Sequence, residues 1–186
     1  MATNNAQARS VSSDTAKSHG LVDVTSLVLL AILLAAGFIL NMTVGNALAM
    51  TGIKPQFIIA AYSLAIILTK ASFPQAAIYG IISAAVIQFT TSIPGLNFLS
   101  ETVAALVMAA LIKLDLKVAG HDVTPLVATL LTTFVSGALF ATLGTVIMGA
   151  AIQTAVVKVP IVLGTAVFNA VVGQALYFPL RKVLKK

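Results

Sequence analysis

Gln88-Phe89-Thr90-Thr91-Ser92-Ile93-Pro94-Gly95-Leu96-Asn97-Phe98-Leu99-Ser100-Glu101 is a polar island in a greasy chain. Runs of Ala, Ile, Leu and Val flank it on both sides. A Pro-Gly pair breaks a helix. Polar groups at a helix end are tolerated in an apolar medium only where water, protein or a ligand satisfies them. The stretch therefore reads as the turn between two membrane helices and as one wall of a small-molecule site.

Composition supports a bilayer as the solvent. Of 186 residues, 59% are hydrophobic and 9% charged, and the mean hydropathy is +1.06, a surface that few soluble domains could keep in solution. The formal net charge is +6. Its basic residues sit between hydrophobic runs and form no aromatic-studded patch, which argues for membrane topology and against nucleic-acid binding. The chain has no cysteine, which excludes disulfides, thiol nucleophiles and thiolate metal sites.

Working outward, the apolar runs are Val24 to Leu40, Ile53 to Leu68, Phe73 to Ile87, Phe98 to Leu114, Pro125 to Ile147 and Pro160 to Leu180. A spanning helix takes about 20 residues. The pattern predicts an all-α membrane protein, a bundle of six transmembrane helices in which two are short. Residues 1–22 lack apolar periodicity and read as a disordered or surface-lying tail, leaving 23–186 as the membrane domain. The Ala47-Leu48-Ala49 sequence imitates a signal-peptide cleavage site, but the first run is longer than a usual signal core.

Punctuation agrees with this count. Lys54-Pro55 suits a helix start, Lys70 to Phe73 a tight connection and Pro94-Gly95 a turn. Gly120 is expected to end the fourth helix, and Asp122 or Thr124 to cap the fifth. With both termini cytoplasmic, nine of the eleven basic residues fall inside, as the positive-inside rule requires. The exceptions, Lys54 and Lys158, share the outer end with Glu101 and the polar island.

Those outer residues are the candidate site. Lys54 and Gln56 flank Pro55 at a helix N-terminus and read either as an anchor for a carboxylate or as an interfacial lysine that snorkels. Gln88, Thr91 and Ser92 are spaced i, i+3, i+4 and would share a helical face. Asn97 and Glu101 open the fourth helix. A carboxylate there is either a dipole partner or a functional charge. Lys158, Thr165 and Asn169 fall nearly on one line of the sixth helix, where Asn169 needs protein or a cavity beside it. Tyr62 and Phe98 could stack on a ring. Asn41, Asn46 and Gln153 are weaker candidates.

Other chemistries are missing from the sequence. There is no Gly-rich run ending in Gly-Lys-Ser or Gly-Lys-Thr, hence no P-loop for ATP. His19 and His121 lie in the tail and in a loop, a poor basis for a metal site. No Gly-x-Ser-x-Gly elbow is present, and an enzyme is not expected.

Six short helices, a basic C-terminus and Ala31-x-x-x-Ala35 in the first helix resemble the substrate-binding S components of energy-coupling factor (ECF) transporters, ABC importers for scarce nutrients. Within that group, Gly52-Ile53-Lys54-Pro55-Gln56, Gly80-Ile81-Ile82-Ser83-Ala84 and Thr90-Thr91-Ser92-Ile93-Pro94-Gly95-Leu96-Asn97 are most similar to the TrpP-type tryptophan branch. The resemblance implies a multi-pass protein of the bacterial cytoplasmic membrane that binds its substrate near the outer face. It implies docking, through small residues such as Ala31 and Ala35, on a transmembrane coupling subunit driven by two ATPase subunits. The chain itself would then hold no cofactor, and ATP would be hydrolysed by those partners.

On this reading a zwitterionic aromatic ligand such as tryptophan places its carboxylate on Lys54 or Lys158 and its ammonium on Glu101 with Asn97. Its ring lies beside Phe98, Gly95 and Tyr62, with Gln88 or Thr91 near the ring nitrogen. The alternatives are a vitamin or vitamin-precursor S component, a self-contained transporter or channel, and a structural membrane subunit.

Overall fold

The computed structural model describes residues 23–50, 55–118 and 120–184. The N-terminal tail and Lys54 lie outside the described residues. Helix α1 (Val24–Leu40) opens on Asp23, whose carboxylate accepts from the Ser26 N–H. It continues through a π turn (Asn41–Gly45) into a short α2 (Asn46–Ala49). Then come α3 (Phe57–Thr69), α4 (Phe73–Ile87), α5 (Leu96–Leu111, with a 3-10 turn to Leu114), α6 (Thr124–Ile147), α7 (Gln153–Val157) and α8 (Val159–Leu184). A two-residue hairpin, β1 (Lys117–Val118) against β2 (His121–Asp122), joins α5 to α6.

Among the described residues, four segments are long and apolar enough to cross a membrane: Val24–Ala49, Leu96–Leu114, Thr124–Ile147 and Gln153–Leu184. The protein is an all-α, multi-pass integral membrane protein. The remaining two helices, α3 and α4, are apolar but shorter, 13 and 15 residues. At 1.5 Å per residue, α3 is only about 20 Å long against a hydrocarbon core of about 30 Å. Its position explains how this is tolerated. Every residue from Phe57 to Ile66 is buried, because α3 lies inside the bundle with α1, α4, α5, α6 and α8 around it.

The first turn of α3 is pinned by two asparagines from neighbouring helices. Asn41 Oδ1, on the π turn, accepts from the Phe57 N–H at 2.8 Å, and Asn169 Nδ2, on α8, donates to the Gln56 carbonyl at 3.0 Å. Irregular backbone at membrane depth needs such protein partners. At the other end, Lys70 takes a left-handed conformation, and Gln75 accepts from the Ser72 N–H at 3.3 Å to begin α4.

Three local expectations are corrected. The second helix begins at Phe57, with Pro55 ahead of it rather than in its first turn. The α4 helix stops at Ile87, so Gln88, Thr91 and Ser92 share no helical face. Instead the Gln88 amide folds back onto the Ala84 carbonyl at 3.1 Å, and Thr91 Oγ1 accepts from the Ile93 N–H at 3.4 Å. Side-chain bonds of this kind compete with helix, and Pro94 disfavours helical Ile93. Finally, Gly120 does not end the fourth helix: α5 gives way to the 3-10 turn and to left-handed Asp115, while Gly120 turns the hairpin.

The hairpin end carries the polar locks. Val123 is the N-cap of α6 and offers no side-chain bond, while Asp122 Oδ1, one residue earlier, accepts from the Thr124 N–H at 3.0 Å. Lys113 sits over the Phe73 ring, 4.1 Å from its centre. The polar island lies at the opposite end, with the start of α3, the end of α4 and the start of α5.

Candidate functional site

Glu101 is the centre of the site. It lies one turn into α5 and is 2% exposed. Three hydroxyls donate to its carboxylate: Tyr62 of α3 to Oε2 at 2.9 Å, Ser136 of α6 to Oε1 at 2.7 Å and neighbouring Ser100 to Oε1 at 3.3 Å. Among the described residues no cation forms an ion pair with it. One turn earlier Asn97 is also buried, and its Oδ1 finds no partner among the described residues.

Glu101 and Asn97 open onto a cavity of about 350 Å³, within the range of small-molecule sites. Its walls come from five places: Gln56 and Ile59 of the α3 start, Ile87 at the end of α4 with Thr90, Thr91 and Ser92 beyond it, Asn97 and Glu101, one face of α6, and Lys158, Ile161, Val162 and Thr165 at the α7–α8 junction. The α6 face consists of Thr133, Ser136, Gly137, Phe140 and Ala141, spaced i, i+3, i+4, i+7 and i+8 as one helical stripe requires. Lys158 is half-buried, and no described carboxylate pairs with it. The remaining wall is apolar, with Ile59, Ile87, Phe140, Ile161 and Val162 able to receive a ring or an alkyl group.

The structure thus brings together Gln56, Thr91, Asn97, Glu101 and Lys158, and leaves other expected residues outside the walls. Tyr62 is fully buried behind Glu101 and serves its carboxylate. Asn169 is likewise buried, holding the Gln56 carbonyl and, at 3.4 Å, the Thr133 hydroxyl. Gln88 clasps the turn, accepting from the Gly95 N–H at 2.9 Å. Gly95 is exposed with φ of +84°, a conformation that favours glycine. Phe98 is 40% exposed on the outside of α5. Ala31 and Ala35 are exposed on α1, while Lys54 lies outside the described residues.

The cavity face of α6 was missed by sequence reading. Its signal was the stripe of hydroxyl and small residues from Thr133 to Ala141 around Phe140. No group of three or more His, Asp or Glu side chains able to hold a metal ion occurs among the described residues.

A family model described as tryptophan transporter TrpP matches residues 23–185, all but the tail and the last residue. The chain belongs to this family. It is an ECF-type substrate-binding membrane subunit, a transport component and not an enzyme. No curated protein and no solved structure matches the chain. Within the family assignment, the cavity at the Glu101 end is the natural candidate for the substrate site.

Proposed function

We propose that this family member binds tryptophan, or a closely related aromatic zwitterion, in the Glu101 cavity and delivers it to an ECF-type importer. The observation that carries the reading is the environment of Glu101: a buried carboxylate on a cavity wall, held by hydroxyls and without a cation among the described residues. A buried charge is strongly disfavoured until it is paired, and a ligand ammonium would pair it. Lys158 on the same cavity supplies the opposite charge for a ligand carboxylate. The apolar wall around Phe140 suits an indole, with Thr91 and Thr133 as hydroxyl partners for its N–H.

The proposal includes a topology of six crossings with both termini cytoplasmic, in which α3 and α4 cross inside a protein sheath. The basic residues Lys70, Lys113, Lys117, Arg181 and Lys182 at the hairpin end support this orientation. It also includes docking of Ala31 and Ala35 on a transmembrane coupling subunit, with ATP hydrolysed by two partner ATPase subunits and no cofactor in this chain.

Native mass spectrometry of the gently purified protein, followed by fluorescence titration with tryptophan, tests the substrate. The chain has no tryptophan of its own, so a bound ligand supplies the indole signal. Saturable binding and a retained mass of tryptophan are expected. Retention of a vitamin-like metabolite instead would remove the indole assignment.

A further inference from the structure

The hydrogen bonds around Gln56 fix which end of its side-chain amide is free. A backbone N–H can only donate, so the Asn41 atom accepting from Phe57 at 2.8 Å is the amide oxygen. The other end of Asn41 is then the NH2 group, which can only donate. It lies 3.3 Å from Gln56 and must meet the Gln56 oxygen. That leaves the Gln56 nitrogen, with its two hydrogens, as the end of the side chain without a partner among the described residues, and Gln56 lines the cavity. The Gln56 main chain is held as well, by Asn169 Nδ2 on its carbonyl at 3.0 Å. Gln56 is also the residue from which α3 starts, so the positive end of that helix stands behind the same donor.

From this relay we infer that Gln56 is a specificity-determining residue that reads the ligand's carboxylate through its amide N–H2. Asn41 is the positioning residue that keeps the amide from flipping. The inference rests on the zwitterion reading above and deepens it. Two amide hydrogens on a residue of the cavity that Lys158 also lines suit a group that only accepts hydrogen bonds. A carboxylate offers acceptors at both oxygens, whereas a carboxamide offers one and turns an N–H2 donor toward the site in its other position, so the site favours an acid over its amide. Lys158, whose ammonium also only donates, adds its charge to the same preference, and the apolar wall makes no such distinction.

The test uses the full chain in lipid nanodiscs, titrated by indole fluorescence with L-tryptophan and with L-tryptophanamide, which keeps the ring and the ammonium but replaces the carboxylate. The unaltered chain should favour the acid. Gln56→Glu exchanges the two donors for a carboxylate of the same shape and should weaken tryptophan by about tenfold or more, with a far smaller effect on tryptophanamide.

Asn41→Asp keeps an oxygen for the Phe57 N–H but removes the donor that orients Gln56. It should lower the same acid-to-amide ratio, although Asn41 is not part of the cavity wall. A purely structural role would weaken both ligands alike. Should Gln56→Glu not fold, Gln56→Met and Asn41→Asp give the same ratio. An acid-to-amide ratio unchanged within about threefold in the variants that bind overturns the inference alone. Failure of the unaltered chain to bind either compound overturns the tryptophan reading and this inference with it.

Discussion

Tyr62 on α3 donates its hydroxyl to Glu101 Oε2 on α5 at 2.9 Å. The phenol is fully buried and lies outside the cavity wall, so it acts on a ligand only through the carboxylate it holds. Tyr62→Phe keeps the ring packing and removes one of three hydroxyl donors. Hydrogen bonds to charged groups contribute about 1.5–3 kcal/mol, and Ser136 and Ser100 remain to hold Oε1. Tryptophan affinity should fall roughly three- to tenfold while the protein stays folded. Titration together with a thermal melt checks both halves of this expectation.

Glu101→Gln separates charge from shape. The amide can still accept from Tyr62 or Ser136, but it cannot neutralise an ammonium. Tryptophan affinity should drop at least tenfold, as loss of a charge-assisted bond predicts. Indole-3-propionate, which has the ring and carboxylate but no ammonium, should be affected much less. Tryptophan affinity unchanged within about threefold would remove Glu101 as the ammonium partner.

Much of the fold was legible because hydrophobic runs and turn residues mark helices without reference to their neighbours. The runs at Val24, Phe73 and Pro125 correspond to α1, α4 and α6, and Pro94-Gly95 to the turn before α5. Asn97 and Glu101, which line the cavity, stood out in the sequence because polar groups inside an apolar helix need partners.

The rotation of each helix was less legible. Lipid and protein core are both apolar, so periodicity does not tell which face of α5 or α6 points inward. Phe98 therefore read as a ring-stacking partner although it is exposed on the outside of α5. Phe140, the aromatic that does line the cavity, was overlooked. Gln88 was recognised as needing a partner, but only the folded turn shows that the partner is Gly95.

Gly80 sets how closely α4 approaches the Glu101 segment. A Cβ added there would lie 2.8 Å from Thr102 Cα and 2.9 Å from the Glu101 carbonyl oxygen. Both are backbone atoms and cannot swing aside, so Gly80→Ala must push α5 away from α4. Overpacking of this kind destabilises by about 1–3 kcal/mol. The same shift would carry the Glu101 carboxylate off Tyr62 and Ser136. Lower thermal stability together with weakened tryptophan binding is expected. Intact binding at unchanged stability would show that the two helices can separate without moving the site.

Asp122 offers the opposite case, a polar lock remote from the cavity. Its Oδ1 accepts from the Thr124 N–H, the first of α6. Its Oδ2 accepts from Tyr177 at 3.3 Å and lies 3.8 Å from Arg181 Nη1. Its carbonyl accepts from Gln174 Nε2 at 2.9 Å, and the other end of that amide accepts from the Leu126 N–H.

Asp122→Ala removes the carboxylate contacts and leaves the main-chain bond to Gln174. Loss of the hydrogen bond to the Thr124 N–H alone takes away about 0.5–1.5 kcal/mol, and the partly exposed contact with Arg181 adds little. The melting temperature of the detergent-solubilised protein should fall. Tryptophan affinity should stay within about twofold, because the Glu101 cavity is built from the middle of α6 and the start of α8, away from Asp122, and independent sites act additively. A comparable loss of binding would mean that the two ends of the bundle are coupled through α6 or α8, the helices that carry both the Asp122 lock and a wall of the cavity.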